Sequence, residues 1–87
     1  MISNDEPMNA RAYVLINIEI GSEEKMMDAL KAIPEIKEAY RLNGVYDIIA
    51  RVESDTMLNL KEAIRRKIRK LEKVRSTLTM IVTNMMV

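Results

Sequence analysis

The chain is 87 residues long, 48% apolar and 31% charged, with fourteen lysines and arginines against thirteen acids for a net charge of +1; that is the composition of one ordinary globular domain and leaves no strong overall attraction to nucleic acid. It contains neither cysteine nor histidine, which removes disulfides, thiolate nucleophiles, imidazole bases and most transition-metal sites, so no cofactor is expected. No apolar run approaches a membrane span, and the first residues, with Asp5, Glu6 and Pro7, lack the basic start and apolar stretch of a secretory signal, so the expected location is the cytoplasm.

Residues 1–11 read as a polar tail and residues 12–87 as the domain. The β-branched segment Ala12 to Ile20, ending at Gly21, predicts a first strand and a turn. Ser22 then offers an N-cap, with Glu23 and Glu24 in the electropositive first turn. Met26, Ala29, Leu30 and Ile33 recur at helical spacing until Pro34 stops the helix. Ile36 to Asn43 alternates as a second strand, placing Ile36, Tyr40 and Leu42 on one face, and Val45 to Val52 follows almost at once, so Asn43-Gly44 predicts a tight hairpin turn. Ser54, Asp55 or Thr56 can cap a second helix whose apolar stripe is Met57, Leu60, Ile64, Ile68 and Leu71, and Val74 to Val87 supplies a last strand.

The order β-α-β-β-α-β, with right-handed crossovers, predicts an α+β ferredoxin-like fold: four antiparallel strands with both helices on one face. Strand one carries Val14, Ile16, Ile18 and Ile20 on one side and Tyr13 and Leu15 on the other, and strand four carries Leu78, Met80 and Val82 opposite Ile81. Helices can cover only one of these two apolar faces. The other is expected to pack on the sheet of a second copy, giving a dimeric α/β sandwich, and a chain this short, burying roughly 60 to 65% of its surface, gains from such an interface.

An acidic side chain at the start of a strand is poor β-forming chemistry, which singles out Asp47 in Asn43-Gly44-Val45-Tyr46-Asp47. Either its carboxylate accepts turn amides while Tyr46 packs, or it faces a ligand.

The stretch Leu42-Asn43-Gly44-Val45-Tyr46-Asp47-Ile48-Ile49-Ala50-Arg51-Val52, followed by Val74-Arg75-Ser76-Thr77-Leu78-Thr79-Met80-Ile81-Val82, resembles the effector domain of Lrp/AsnC regulators, also called the regulation-of-amino-acid-metabolism domain. The resemblance runs from Tyr13 to Val82 and includes the Ala39-Tyr40 approach, the Gly-x-Tyr-Asp turn and the Ser-Thr-x-Thr entrance to strand four. It implies a homodimer whose sheets face each other, dimers joining into rings, and a small effector, commonly an amino acid, held between neighbouring dimers. The implied ligand-binding residues are Tyr40, Asn43, Gly44, Val45, Tyr46, Asp47, Ser76, Thr77 and Thr79. By the same resemblance, Gly44 and the backbone after it would approach the ligand, Asp47 would face its α-amino group, and Thr77 or Thr79 of a neighbouring subunit would receive the carboxylate. Glycine allows close backbone approach, and a cation needs a carboxylate partner. Asn43 stands where the family most often has threonine, a departure that bears on the ligand's identity.

Members with a regulatory role usually begin with a helix-turn-helix domain, which eleven polar residues cannot build. The resemblance is therefore to a stand-alone form, expected to bind effector and to assemble with full-length relatives, and not to read a DNA sequence itself. Lys61, Arg65, Arg66, Lys67, Arg69, Lys70 and Lys73 make helix two basic; with Glu62 and Glu72 interspersed, and three tyrosines as the sole aromatics, this reads as a solvated face. Met26, Met57 and Met80 fall on expected core faces, and Met85-Met86 suggests an intersubunit contact. Two other readings stay open. Asp47 and Tyr46 could form the acid-base pair of a small dimeric α/β-barrel enzyme, and the fold also serves ACT-like sensors, although these lack the paired Gly-x-Tyr-Asp and Ser-Thr-x-Thr motifs.

Overall fold

The computed structural model describes residues 9–83. Six elements follow the predicted order: β1 (Ala10–Ile18), α1 (Glu23–Lys31), β2 (Ile36–Arg41), β3 (Ile48–Ser54), α2 (Met57–Ala63, continued by a π-helical segment Ile64–Ile68) and β4 (Val74–Ile81). The antiparallel sheet has the order β2-β3-β1-β4, with β1 in register against β3 from Ala10↔Ser54 to Ile16↔Ile48 and against β4 from Ala12↔Ile81 to Asn17↔Ser76. Ala12, Val14, Ile16 and Ile18 of β1 and Ile48, Ala50 and Val52 of β3 form the sheet side of the core. Met26 and Leu30 of α1 and Leu60, Ile64 and Ile68 of the second helix close it. Burying such an aliphatic side chain contributes about 1.5–3 kcal/mol.

Local chemistry explains where elements stop. β1 ends at Ile18, two residues short of expectation, because a turn begins: Ser22 N–H and Oγ–H both donate to Glu19 O, at 3.2 and 2.6 Å, and Gly21 adopts φ 87°. Ile20 is thereby thrown out to 98% exposure. Ser22 does occupy the N-cap of α1, but its hydroxyl is committed to Glu19 and caps no helix amide. Of the three candidates for the second cap, Thr56 fills the role, its Oγ1 accepting from Asn59 N–H at 3.0 Å.

The π-helical segment has a geometric reason. Leu60, Ile64 and Ile68 are spaced by four, and an α-helix of 3.6 residues per turn would rotate each successive one away from the core. One widened turn, closed by Arg69 N–H donating to Ile64 O at 2.9 Å, keeps all three inward.

Two expectations are corrected. The alternation of β2 breaks between Ile36, paired with Val52, and Glu38, paired with Arg51; the extra residue, Lys37, forms a bulge. Ile36 therefore packs on the core while Tyr40, opposite Ile49, stands on the other face. Likewise Asn43-Gly44 does not make a two-residue turn. The chain bends over residues 42–47, closed by Leu42 N–H donating to Asp47 O at 2.8 Å, and Gly44 has no positive φ.

Of the methionines, Met26 is core, whereas Met57 is exposed and Met80 lies on the sheet face away from the helices. Met85-Met86 lies outside the described residues.

Candidate effector site

The loop between β2 and β3 is held by β1. Where the β1–β3 ladder would run on past Ile16↔Ile48, Asp47 takes over: its N–H donates to Ile16 O at 3.0 Å, and its Oδ2 accepts the amide of Ile18 at 2.9 Å. The capping reading of Asp47 is thus realised, but with a strand amide and through one oxygen. Among the described residues the other oxygen has no hydrogen-bond donor.

That oxygen belongs to a side chain lining an open cleft of about 600 Å³ with Asn17, Ile18, Ile20, Val45, Arg75 and Ser76. Asn17 Nδ2–H donates weakly to Ser76 Oγ at 3.4 Å across the β1–β4 pair, so these two polar groups arrive together by register. Val45 is 86% exposed, and with Ile20 it gives the cleft two uncovered aliphatic walls. A carboxylate, a guanidinium and apolar surface therefore share one concavity, a combination suited to a small zwitterion.

Of the nine residues singled out in the sequence, Val45, Asp47 and Ser76 meet in this cleft. Asn43 and Gly44 stand exposed farther along the loop, and Tyr46 is half-buried. Thr77 and Thr79 face the helix side of β4 and line a separate groove with Lys61, Arg65 and Arg69. Tyr40 is 58% exposed on the uncovered sheet face, its hydroxyl donating to Glu38 Oε1 at 3.3 Å. Within one protomer Tyr40, Thr77 and Thr79 are thus apart from Asp47. Sequence reasoning passed over Asn17, Ile20 and Arg75. The signal for Arg75 was its place directly before Ser76; for Asn17 it was a lone amide in an aliphatic strand.

The uncovered sheet face carries Tyr13, Leu15, Ile49, Leu78 and Met80, the last two 45% and 44% exposed. At its margin Glu53, only 6% exposed, is gripped by Arg11 at 2.8 Å and by Arg51, which also reaches Glu38 at 3.1 Å. The hydrogen bond from Arg51 holds the Glu38 carboxyl below its ordinary range, and the same bond raises Arg51. Among the described residues no cluster of acidic side chains is arranged to hold a metal ion, and no helix is long and apolar enough to cross a membrane.

The family profile described as the Lrp/AsnC ligand binding domain matches residues 11–87. Among solved structures, that of FFRP-DM1 superposes with a TM-score of 0.82 at 42% identity, over 85% of this chain and 99% of that one. A hypothetical protein from Pyrococcus horikoshii, PHS023, does so with a TM-score of 0.81 at 41% identity, over 86% of this chain and 90% of that one. The transcriptional regulator NMB0573 from Neisseria meningitidis, solved as a complex with L-Met, matches all of this chain but 60% of its own, with a TM-score of 0.79 and 14% identity; at that distance the likeness is one of fold. A search of curated proteins finds no match.

Proposed function

The chain belongs to the Lrp/AsnC ligand-binding domain family, a regulatory rather than an enzymatic class, and on that premise we propose that it binds a free amino acid in the cleft beside Asp47. The observation that carries this reading is that Asp47 and Arg75, of opposite charge, line the same cleft. The uncommitted oxygen of Asp47 takes the α-ammonium group, Arg75 with Ser76 and Asn17 takes the carboxylate, and Ile20 and Val45 pack on an apolar side chain. The L-Met complex of the fold relative NMB0573 supports the ligand class.

The cleft is wide and its two aliphatic walls are bare, so a neighbouring subunit completes it. The domain dimerises through the uncovered sheet face, and dimers meet over the Asp47 loop, where ligand and assembly are coupled: an effector that fills the interface stabilises the higher oligomer by its affinity for that state alone. Full-length members of the family, brought together in the same way, are the partners this coupling would regulate.

The test is a thermal-shift screen across the twenty amino acids, followed by calorimetry on Asp47→Asn and Arg75→Ala. A ligand at about 100 times its dissociation constant raises stability by about 2.7 kcal/mol. Either variant is expected to weaken binding by about 10- to 150-fold while remaining folded, the effect of losing one charge-assisted hydrogen bond. A blank screen, or binding indifferent to both variants, overturns the assignment.

A further inference from the structure

The second groove, between α2 and β4, has a chemistry of its own. Lys61, Arg65 and Arg69 recur every four residues along α2 and its π-helical continuation, and line one wall. Thr77 and Thr79, two apart on the strand, line the other together with Ile81, and Ile64 adds apolar surface from the helix; the cavity measures about 480 Å³. Arg69 and Thr77 also border an adjoining recess with Arg75 and Ser76, so the row of cations continues toward the strand's start.

Like charges at this spacing repel one another, and little here offsets it. Glu62 is the one carboxylate paired within the helix, and it serves Arg65 at 2.8 Å and Arg66 at 2.7 Å. Among the described residues Lys61 and Arg69 have no acidic partner, and neither threonine hydroxyl has a hydrogen bond. The groove thus collects cations and hydroxyls while the chain as a whole carries only +1.

We propose that this groove is a second site, adjoining the amino-acid cleft at Arg75 and Ser76 but centred on Lys61 and Arg69, and that it takes a polyphosphate chain, either free or at the end of a nucleotide. A single carboxylate satisfies one guanidinium fork. Lys61 and Arg69 without acidic partners, Arg65 shared with Glu62, and two hydroxyls along one trough call for several negative charges in a contiguous group, with oxygens placed for bidentate contact, and linked phosphates supply both. No tyrosine lines the groove to stack exposed bases, which disfavours a nucleic-acid strand.

The experiment titrates the intact protein with inorganic triphosphate, and in parallel with ATP, by calorimetry at fixed ionic strength. One saturable site per chain is expected. Lys61→Ala and Arg69→Ala should each weaken it by about 10-fold or more, while Arg66→Ala, outside the groove but on the same helix, and Asp47→Asn, in the other cleft, should leave it within about 2-fold. Equal affinity for both probes assigns the chain alone, and tighter binding of ATP assigns a nucleotide. The proposal falls if neither probe binds beyond the effect of sodium chloride at matched ionic strength, or if Arg66→Ala weakens binding as much as Arg69→Ala, which marks a diffuse counterion effect. It also falls if a DNA duplex displaces triphosphate and shows the same dependence on Lys61 and Arg69, since the groove is then a nucleic-acid surface.

Discussion

Asp47 Oδ2 accepts the backbone amide of Ile18 at 2.9 Å, tying a loop to a strand 29 residues earlier in the chain. The two residues define what each substitution at 47 removes. Asparagine keeps an acceptor for the amide, whereas alanine leaves a part-buried N–H unpaired. Asp47→Ala is therefore expected to destabilise the ligand-free protein by about 1–3 kcal/mol and Asp47→Asn by less than about 1 kcal/mol. Urea denaturation of both separates these costs, and equal stability of the two variants would mean that the Ile18 bond contributes nothing.

Glu53 is a buried carboxylate with two arginines. Removing one member of such a group leaves buried charge uncompensated, a cost of about 3–5 kcal/mol in full burial. Both guanidinium groups here are 23% exposed, so solvent takes up part of the loss. Glu53→Ala should cost about 1–3 kcal/mol, read from the urea midpoint at unchanged slope. A shift below about 0.5 kcal/mol, the size of ordinary surface changes, would place the network with the surface pairs.

Acid should unfold this protein only below the ordinary carboxylate range. The Lys67 hydrogen bond lowers Glu35, that of Arg51 lowers Glu38 and that of Arg65 lowers Glu62, each from an ordinary value of 4.5. The unfolded chain thus takes up these protons at higher pH than the folded one. The stabilisation is complete above pH 4.5 and is lost as pH falls through the lowered folded values. With no histidine in the chain, no side chain of ordinary pKa titrates between about pH 5 and 8. The melting temperature should be level from about pH 7 down to the ordinary carboxylate value of 4.5 and fall below it. Lys67→Met should flatten the fall, and a decline already under way at pH 6 would contradict the account.

The fold was legible where burial is one-sided. Val14, Ile16 and Ile18 alternate with Tyr13, Leu15 and Asn17, and that period of two survives in the structure. What misled was non-local. Asn43-Gly44 carries a strong hairpin signal, but the loop answers to Ile16 and Ile18 on another strand. The bulge at Lys37 depends on pairing Glu38 with Arg51, which local alternation does not show. For the site, Asp47 stood out because a carboxylate at a strand start needs a reason. Arg75 did not, because one arginine among many acquires meaning only when the fold brings it into the same cleft as Asp47.

The proposed dimerisation through the uncovered face has a direct test. Leu15, Ile49, Leu78 and Met80 share that face, and the covered side already has its helices. Leu78→Lys combined with Met80→Lys sets two charges into the expected seam without touching the core, and desolvating them opposes association. Sedimentation equilibrium should report a dimer for the parent and a folded 10.0 kDa monomer for the double variant. A variant that remains dimeric would assign the interface to another surface.

The two glycines separate conformational need from ligand approach. Gly21 sits at φ 87°, where a side chain is strained whatever the space, so Gly21→Ala should cost about 1–2 kcal/mol. Gly44 has no positive φ, and a Cβ built there meets nothing within 4 Å. Nothing in the isolated protomer therefore requires glycine at 44. Gly44→Ala should leave stability unchanged or raise it by up to about 1 kcal/mol, because the unfolded chain loses freedom. If the loop closes on an amino acid supplied from the cleft, the added methyl acts only in the complex, and affinity should fall by about 10-fold with no change in melting temperature of the free protein. Calorimetry and a thermal melt on the same preparation decide it. Gly44→Ala that melts lower and binds normally would show a structural demand that the protomer's geometry does not contain, and would remove Gly44 from the site.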